Sequence, residues 1–231
     1  MKMSKFLSAA AVAALIISSP AVAQEIKLTP YVEGQISRMM IDDVDANTTV
    51  GAGGFNAALA LEGEYEAATA FGAEVGISGI GGTGFRAGLG FTKFDAELEA
   101  VNLTANNFRY NGVAIPGALS GRVTADQLRA AGADIGEEVK VFSVNAYYDF
   151  DLGSNFKPYL GLGVGMADIE NMKDNELALS GYAGVNYAVT ENLYAGLRAS
   201  IHHVEGGEDE AGLIYDDIRA YSVGAVIGYK F

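Results

Sequence analysis

The stretch of sequence that most constrains the fold runs from residue 142 to residue 166. It contains two segments in which every second residue is apolar, joined by a polar turn that includes Asp151, Gly153 and Pro158. Successive side chains of a β-strand point to opposite faces, so each segment presents one apolar face and one polar or glycine-lined face. Since Asp, Gly and Pro are typical turn residues, we interpret the stretch as a β-hairpin.

The same period-two alternation recurs along most of the chain. It predicts strands near residues 217–231, 192–204, 177–187, 157–169, 139–150, 84–98, somewhere within 54–79, and 27–40. The segment 54–79 fits either one kinked strand or two, so we expect eight strands and keep ten as the alternative. Residues 99–138 are polar and mixed, and we expect a long loop there. Thr124 and Gln127 resemble a capping box and predict a short helix inside that loop.

The N-terminus has the features of an export signal. Lys2 and Lys5 precede an apolar run over 6–17, and Ala21-Val22-Ala23 fits the small-x-small cleavage rule. The run is shorter than the roughly 20 residues that a membrane-spanning helix needs. We therefore expect a cleaved signal peptide over 1–23 and a β-barrel domain over 24–231. The chain has no cysteine, so an exported fold would have to close without disulfides.

The charge of the chain limits its partners. The formal net charge is -14, and loss of the two leader lysines would make it two units more negative. Nucleic acid is not expected as a partner, because binding phosphates requires clustered Lys and Arg.

Amphipathic strands in an exported chain close in one of two ways. A soluble sandwich or lipocalin-type barrel buries the apolar face, whereas a membrane barrel turns that face towards lipid. Three features favour the membrane: the other face is glycine-rich and polar, turns alternate between short and long, and aromatic residues lie at strand ends, where an interfacial aromatic girdle would sit (Tyr148, Phe150, Tyr159, Tyr187, Tyr229 and Phe231). We predict an all-β, eight-stranded antiparallel transmembrane up-and-down β-barrel, with Val144, Leu162, Leu197 and Ile227 facing lipid.

The hairpin formed by residues 145–150 and 157–165 resembles those of the OmpA-like and opacity-type barrels, a porin family of the Gram-negative cell envelope. The alternation that ends at Tyr229 and Phe231 resembles the signal that this family presents to the barrel assembly machinery. The resemblance implies an outer-membrane location, with outer-membrane lipid and lipopolysaccharide as partners. It also implies outer loops that contact host or environmental ligands. The cell-wall-binding domain that some OmpA-like proteins carry has no counterpart here, so tethering to the wall is not implied.

Several charged residues fall on the face expected to line the lumen. A small barrel is just filled by its own side chains, and buried charges need partners. We therefore predict an ion-pair network that plugs the lumen; a water-filled pore is the alternative. Its members would be Glu33, Glu62, Glu74, Arg86, Arg198 and Lys230.

Other motifs favour structural interpretations. Gly161, Gly163 and Gly165 have strand spacing rather than that of a phosphate-binding loop, so we read them as interior space. His202 and His203 should point to opposite faces and so not share a metal. The acidic clusters near 42–45 and 205–210 lack the spacing of a calcium-binding EF-hand, so we interpret them as solvated outer loops. We predict no catalytic, metal or cofactor site. The expected role is structural and surface-interacting, with a small porin as the alternative and a lipid-modifying enzyme as a minor one.

Overall fold

The computed structural model describes residues 28–231, so the expected signal peptide lies outside the described residues. Within this range the chain is almost entirely β-structure. Its strands are β1 (Thr29–Ile41), β2 (Val44–Ala52), β3 (Phe55–Tyr65), β4 (Ala68–Ile80), β5 (Phe85–Tyr110), β6 (Val113–Ala114), β7 (Leu119–Thr124), β8 (Gly136–Asp149), β9 (Phe156–Ile169), β10 (Glu176–Ala188), β11 (Leu193–Val204), β12 (Ile214–Tyr215) and β13 (Ile218–Lys230).

Eight of these strands close into a ring. Going round it, β1 pairs with β4, then follow β5, β8, β9, β10, β11 and β13, and β13 pairs with the other edge of β1. Every pairing is antiparallel, and a closed ring leaves no strand edge unpaired, as a hydrocarbon environment requires. The predicted eight-stranded up-and-down barrel is confirmed.

The uncertain segment 54–79 contains two strands, but only one belongs to the ring. β4 pairs with β1 and with the first part of β5. β3 instead pairs with β2 and with the second part of β5, beyond residue 97. The count of eight therefore holds even though the segment forms two strands.

The barrel continues on one side into a sheet that we call the outer extension: β2, β3, the part of β5 beyond residue 97, β6, β7 and β12. The prediction of a loop over 99–138 is wrong for much of this segment, because residues 100–105 of β5 pair with β3 on one side and with β7 on the other. The short helix is confirmed as α1 (Ala125–Ala130), with the amide of Thr124 donating to Gln127 Oε1 at 3.0 Å. Within residues 28–231, no helix has the length and apolar character that crossing a membrane would require.

The outside of the ring is apolar. Val144, Leu162, Leu197 and Ile227 are between 36% and 73% exposed, which confirms that the apolar face looks outward. Short turns at 81–84, 150–155 and 189–192 share one end with both termini of the described chain, and we call this the inner end. Aromatic pairs cluster there, including Phe85 with Tyr148 and Phe156 with Tyr187, at ring-centroid distances of 4.9 Å.

Candidate functional site in the barrel lumen

The inner half of the lumen is filled by charged and tyrosine side chains that we call the plug. They come from inward-facing positions on six strands of the ring, and each is nearly inaccessible to solvent. Its members are Tyr31, Glu33, Glu74, Arg86, Asn145, Tyr147, Tyr159, Tyr194 and Arg198.

Glu33 on β1 is the carboxylate at the centre of the plug. Arg198 Nη2 donates to its Oε1, and Arg86 Nη1 lies 3.4 Å from its Oε2. The hydroxyl of Tyr194 donates to the same Oε2 at 2.9 Å. Arg86 also donates through Nε to Asp149 Oδ1 at 3.0 Å. Buried charges are tolerated when they are paired and hydrogen-bonded, and every charge here has a partner, although Arg86 Nη2 is buried without a hydrogen-bond acceptor.

Glu74 on β4 is held by neutral donors instead. The hydroxyls of Tyr31 and Tyr147 both donate to it, the second at 2.7 Å, and Asn145 Nδ2 donates at 2.7 Å. These three donors engage both carboxylate oxygens, so this buried acid is satisfied by hydrogen bonds from two other strands, β1 and β8.

Tyrosine rings enclose the two guanidinium groups. Arg86 Cζ lies 4.2 Å from the ring centroid of Tyr147 and 4.8 Å from that of Tyr159. Arg198 Nε donates to the hydroxyl of Tyr159 at 2.8 Å. Aromatic faces attract cations, most strongly where water is excluded. The expectation that Tyr159 belongs to an interfacial aromatic girdle is wrong: its ring is 1% exposed and lies inside the barrel.

Glycines make the space that the tyrosine rings occupy. A Cβ added to Gly161 would lie 2.2 Å from Tyr147 Cδ1, and one added to Gly228 would lie 2.1 Å from Tyr194 Cζ. A Cβ on Gly163 would lie 2.3 Å from Asn145 Oδ1. These contacts are far closer than packed atoms allow, so the structure places these glycines where the interior needs room.

The structure brings together four of the six charged residues that the sequence suggested would line the lumen. Glu33, Glu74, Arg86 and Arg198 come together in the lumen. Glu62 does not, because β3 lies outside the ring; this side chain is exposed and accepts a hydrogen bond from Asn102 Nδ2 at 3.2 Å. Lys230 lies at the inner mouth, with Nζ 5.6 Å from the ring centroid of Tyr194.

Sequence reasoning missed most of the tyrosines in the plug and the ion pair of Arg86 with Asp149. A signal for them was present: Tyr31, Tyr147 and Tyr194 occupy strand positions of the face that does not contact lipid. Tyr229 and Phe231, the residues of the expected assembly signal, are exposed at the inner end with ring centroids 5.2 Å apart.

The outer half of the lumen is apolar, which the sequence-based expectation of a polar interior did not anticipate. We call it the cup; its buried cluster is Met39, Ala68, Ala70, Phe94, Ala96, Val139, Ala167, Ile169, Ala178, Val204 and Ala220. A cavity of about 70 Å³ remains between its walls, and Tyr182, His202 and Ser180 lie where it meets the plug.

The two histidines lie on opposite faces of β11. His202 is inside, with Nδ1 2.9 Å from Ser180 Oγ, and His203 is on the other face, with Nε2 3.5 Å from Asp217. This arrangement offers no shared coordination position.

A closed antiparallel ring of eight strands with an apolar exterior and buried polar side chains in its inner lumen defines a β-barrel of the outer-membrane type. The chain belongs to the outer membrane protein β-barrel domain family, whose model matches residues 9–231. Membership of this family indicates a bacterial outer-membrane location.

Among the solved structures that resemble this chain, OprG supports the fold. OprG of Pseudomonas aeruginosa is 16% identical, with 88% of this chain and 95% of that chain covered at a TM-score of 0.51. Neisserial surface protein A is 17% identical, covering 87% and 97% of the two chains at a TM-score of 0.47. AlkL, solved in DMPC bilayers, is 12% identical, covering 92% and 95% at a TM-score of 0.45. No curated protein matches. At these identities the likeness concerns the fold alone.

Proposed function

We propose that this protein is a non-catalytic structural and surface-interaction component of the outer membrane. The barrel is an anchor whose lumen is closed to solutes, and its outer parts contact the surroundings. The observation that supports this most directly is the plug, in which Glu33 links Arg86 and Arg198 across the inner half of the lumen.

The plug spans the interior from several sides. Its side chains project from β1, β4, β5, β8, β9 and β11, and they bond to one another across the ring. The largest of them, Arg86, Tyr31, Tyr147 and Tyr159, are each less than 2% exposed. A barrel of eight strands has an interior just wide enough for side chains, so such a cluster supports a lumen that is closed to solutes.

The outer parts of the molecule supply the contact surfaces in this proposal. The outer extension projects beyond the ring, and exposed carboxylates of the acidic loops flank it, favouring cationic or neutral environmental and host ligands. Lys93 of β5 and Lys140 of β8, which both pair with Glu138, are the proposed contacts for lipopolysaccharide phosphates. Tyr229 and Phe231, exposed at the inner end, are the proposed contact for the assembly machinery.

Planar-bilayer recording tests closure. We expect the wild-type protein to give no stable conductance steps, and the double variant Arg86→Ala/Tyr147→Ala to give them, because it removes two large side chains from one cross-section. Arg219→Ala, which removes an exposed cation from β13, is the matched control and should remain silent. Folding of each variant is checked by its mobility in SDS with and without boiling. Stable steps from the wild type would favour the small porin over the closed anchor.

A further inference from the structure

Beyond the proposed anchoring role, we infer that the cup is a binding site for the alkyl chain of a small amphiphile with a cationic head group. The chain would enter from the outer side and end above the plug. This assignment concerns only the outer half of the lumen.

The walls of the cup leave space because many of them are small. Six members of the buried cluster are alanines, among them Ala96 and Ala220, which line the cavity directly. Had these positions carried leucine, the cluster would close on itself as an ordinary core. The cavity of about 70 Å³ is smaller than the roughly 150 Å³ apolar cavity known to take up benzene, so a narrow chain end fits it better than a ring.

An apolar surface leads to the cup from outside. Val44 of β2 and Tyr65 of β3 line the cavity. Residues two apart on a strand share a face, so Ala46 and Val50 continue the surface of Val44, and Leu61 and Leu59 continue that of Tyr65.

The neighbouring strand extends this surface. Leu103 of β5 lies opposite Leu61, and Val101 lies opposite Gly63. The intervening polar residues, such as Glu62 and Asn102, take the other face of the outer extension. Apart from Thr48, whose hydroxyl donates to the carbonyl of Gly212 at 3.3 Å, one face of that sheet is therefore an apolar track from its tip to the cup.

The outer side of the cup is negatively charged. Glu137 lines the cavity, and the carboxylates of Asp209, Glu170 and Asp134 act on it electrostatically. Within residues 28–231, no ion pair with Glu137 is found. A cationic head group at this position would be attracted, whereas a carboxylate or phosphate would be repelled, and this complementarity selects the head group of the amphiphile.

The test uses the full chain in lipid nanodiscs, with octyltrimethylammonium and octanoate as probes and saturation-transfer NMR as the readout. We expect saturable binding of octyltrimethylammonium beyond that of empty nanodiscs. Octanoate should bind about tenfold more weakly than octyltrimethylammonium. The Glu137→Gln variant should reduce this difference in affinity between the two probes.

Two variants fill the cup from different strands. Ala96→Leu and Ala220→Leu, each made alone, should weaken binding of octyltrimethylammonium by about tenfold or more. Leu162→Ala, on the lipid-facing surface, is the matched control and should bind like the wild type. Signals no greater than those of empty nanodiscs, or binding that neither filled variant weakens, would overturn the site. Equal binding of octanoate would overturn the head-group assignment.

Discussion

The inner and outer halves of the lumen are built on the same eight strands and the same inward-facing strand positions, yet they are filled by opposite chemistry. In the inner half, Glu33, Arg86 and Arg198 form a hydrogen-bonded cluster enclosed by tyrosines. In the outer half, alanines and a few larger apolar residues surround a cavity. One backbone therefore supports a closed section and a section with space to spare.

The comparison shows which half of the lumen depends for its stability on every one of its residues. A buried charge that loses its partner keeps its desolvation cost, so each residue of the plug depends on the others. An apolar wall depends mainly on the area it buries and on how well it packs, and it tolerates changes that fit the available volume. The inner half should therefore be sensitive to single substitutions and the outer half tolerant.

The largest effect is expected for Arg198→Leu. This change leaves the carboxylate of Glu33 with only part of its bonding and removes the donor to Tyr159. Removal of one partner from a buried ion pair typically costs about 3–5 kcal/mol. Urea unfolding in detergent measures the loss, with Arg219→Leu on the outside of β13 as the matched control. A variant as stable as the control would remove the distinction between the two halves.

A smaller effect is expected for Gly161→Ala, which tests the packing of the plug rather than its charge. The new methyl group would collide with Tyr147, and overpacking of this kind costs about 1–3 kcal/mol. Gly34→Ala on β1 is the matched control, because a Cβ there meets nothing within 4 Å. Urea unfolding in detergent measures the loss of stability in both variants. If both variants lost equal stability, the cost would come from the strand backbone rather than from the plug.

A still smaller effect is expected for Ala220→Val in the cup. The two added methyl groups enter the cavity, where burial of apolar surface offsets the cost of adjustment, and we expect a change below about 1 kcal/mol. Thermal unfolding of this variant beside Gly161→Ala compares the two halves directly. A loss exceeding that of Gly161→Ala would contradict the view that the cup has room.

The ring was predictable because its signals are local. Strand alternation and turn residues are read within ten or so positions, and the predicted strand over 192–204 lies within one residue of the observed β11 (Leu193–Val204). The outward position of Leu162 follows from the same alternation, once the apolar face is assigned to lipid.

What the sequence did not reveal depends on contacts between distant segments. Glu62 fits the period-two strand pattern as well as Glu74 does. Only the pairing of β3 with the outer part of β5 places Glu62 outside the ring. The cup escaped notice because inward-facing Met39 and Val139 look no different in sequence from apolar residues on the lipid side. Alternation defines two faces, and it does not state how the inner face changes along the barrel axis.

The smallest effect on stability is expected from breaking the ion pair between Arg122 of β7 and Glu64 of β3. This pair sharpens the comparison because it is exposed to water, unlike the buried pairs of the plug. Arg122 is 48% exposed, and its hydrogen bonds to Glu64 lower the pKa of that carboxyl below 4.5. A lowered pKa in the folded state means that the stabilisation is complete above pH 4.5 and is lost as the pH falls through the lowered value.

Exposed pairs contribute little and are screened by salt, so Arg122→Ala should leave global unfolding at neutral pH unchanged. NMR titration should show the Glu64 pKa returning towards its ordinary value in that variant, with Arg129→Ala, from the exposed pair on α1, as the control that leaves it in place. If Arg122→Ala destabilised the protein as much as Arg198→Leu, burial would not be what distinguishes the plug. The sensitivity of the inner half would then have to come from charge pairing itself, wherever in the molecule it occurs.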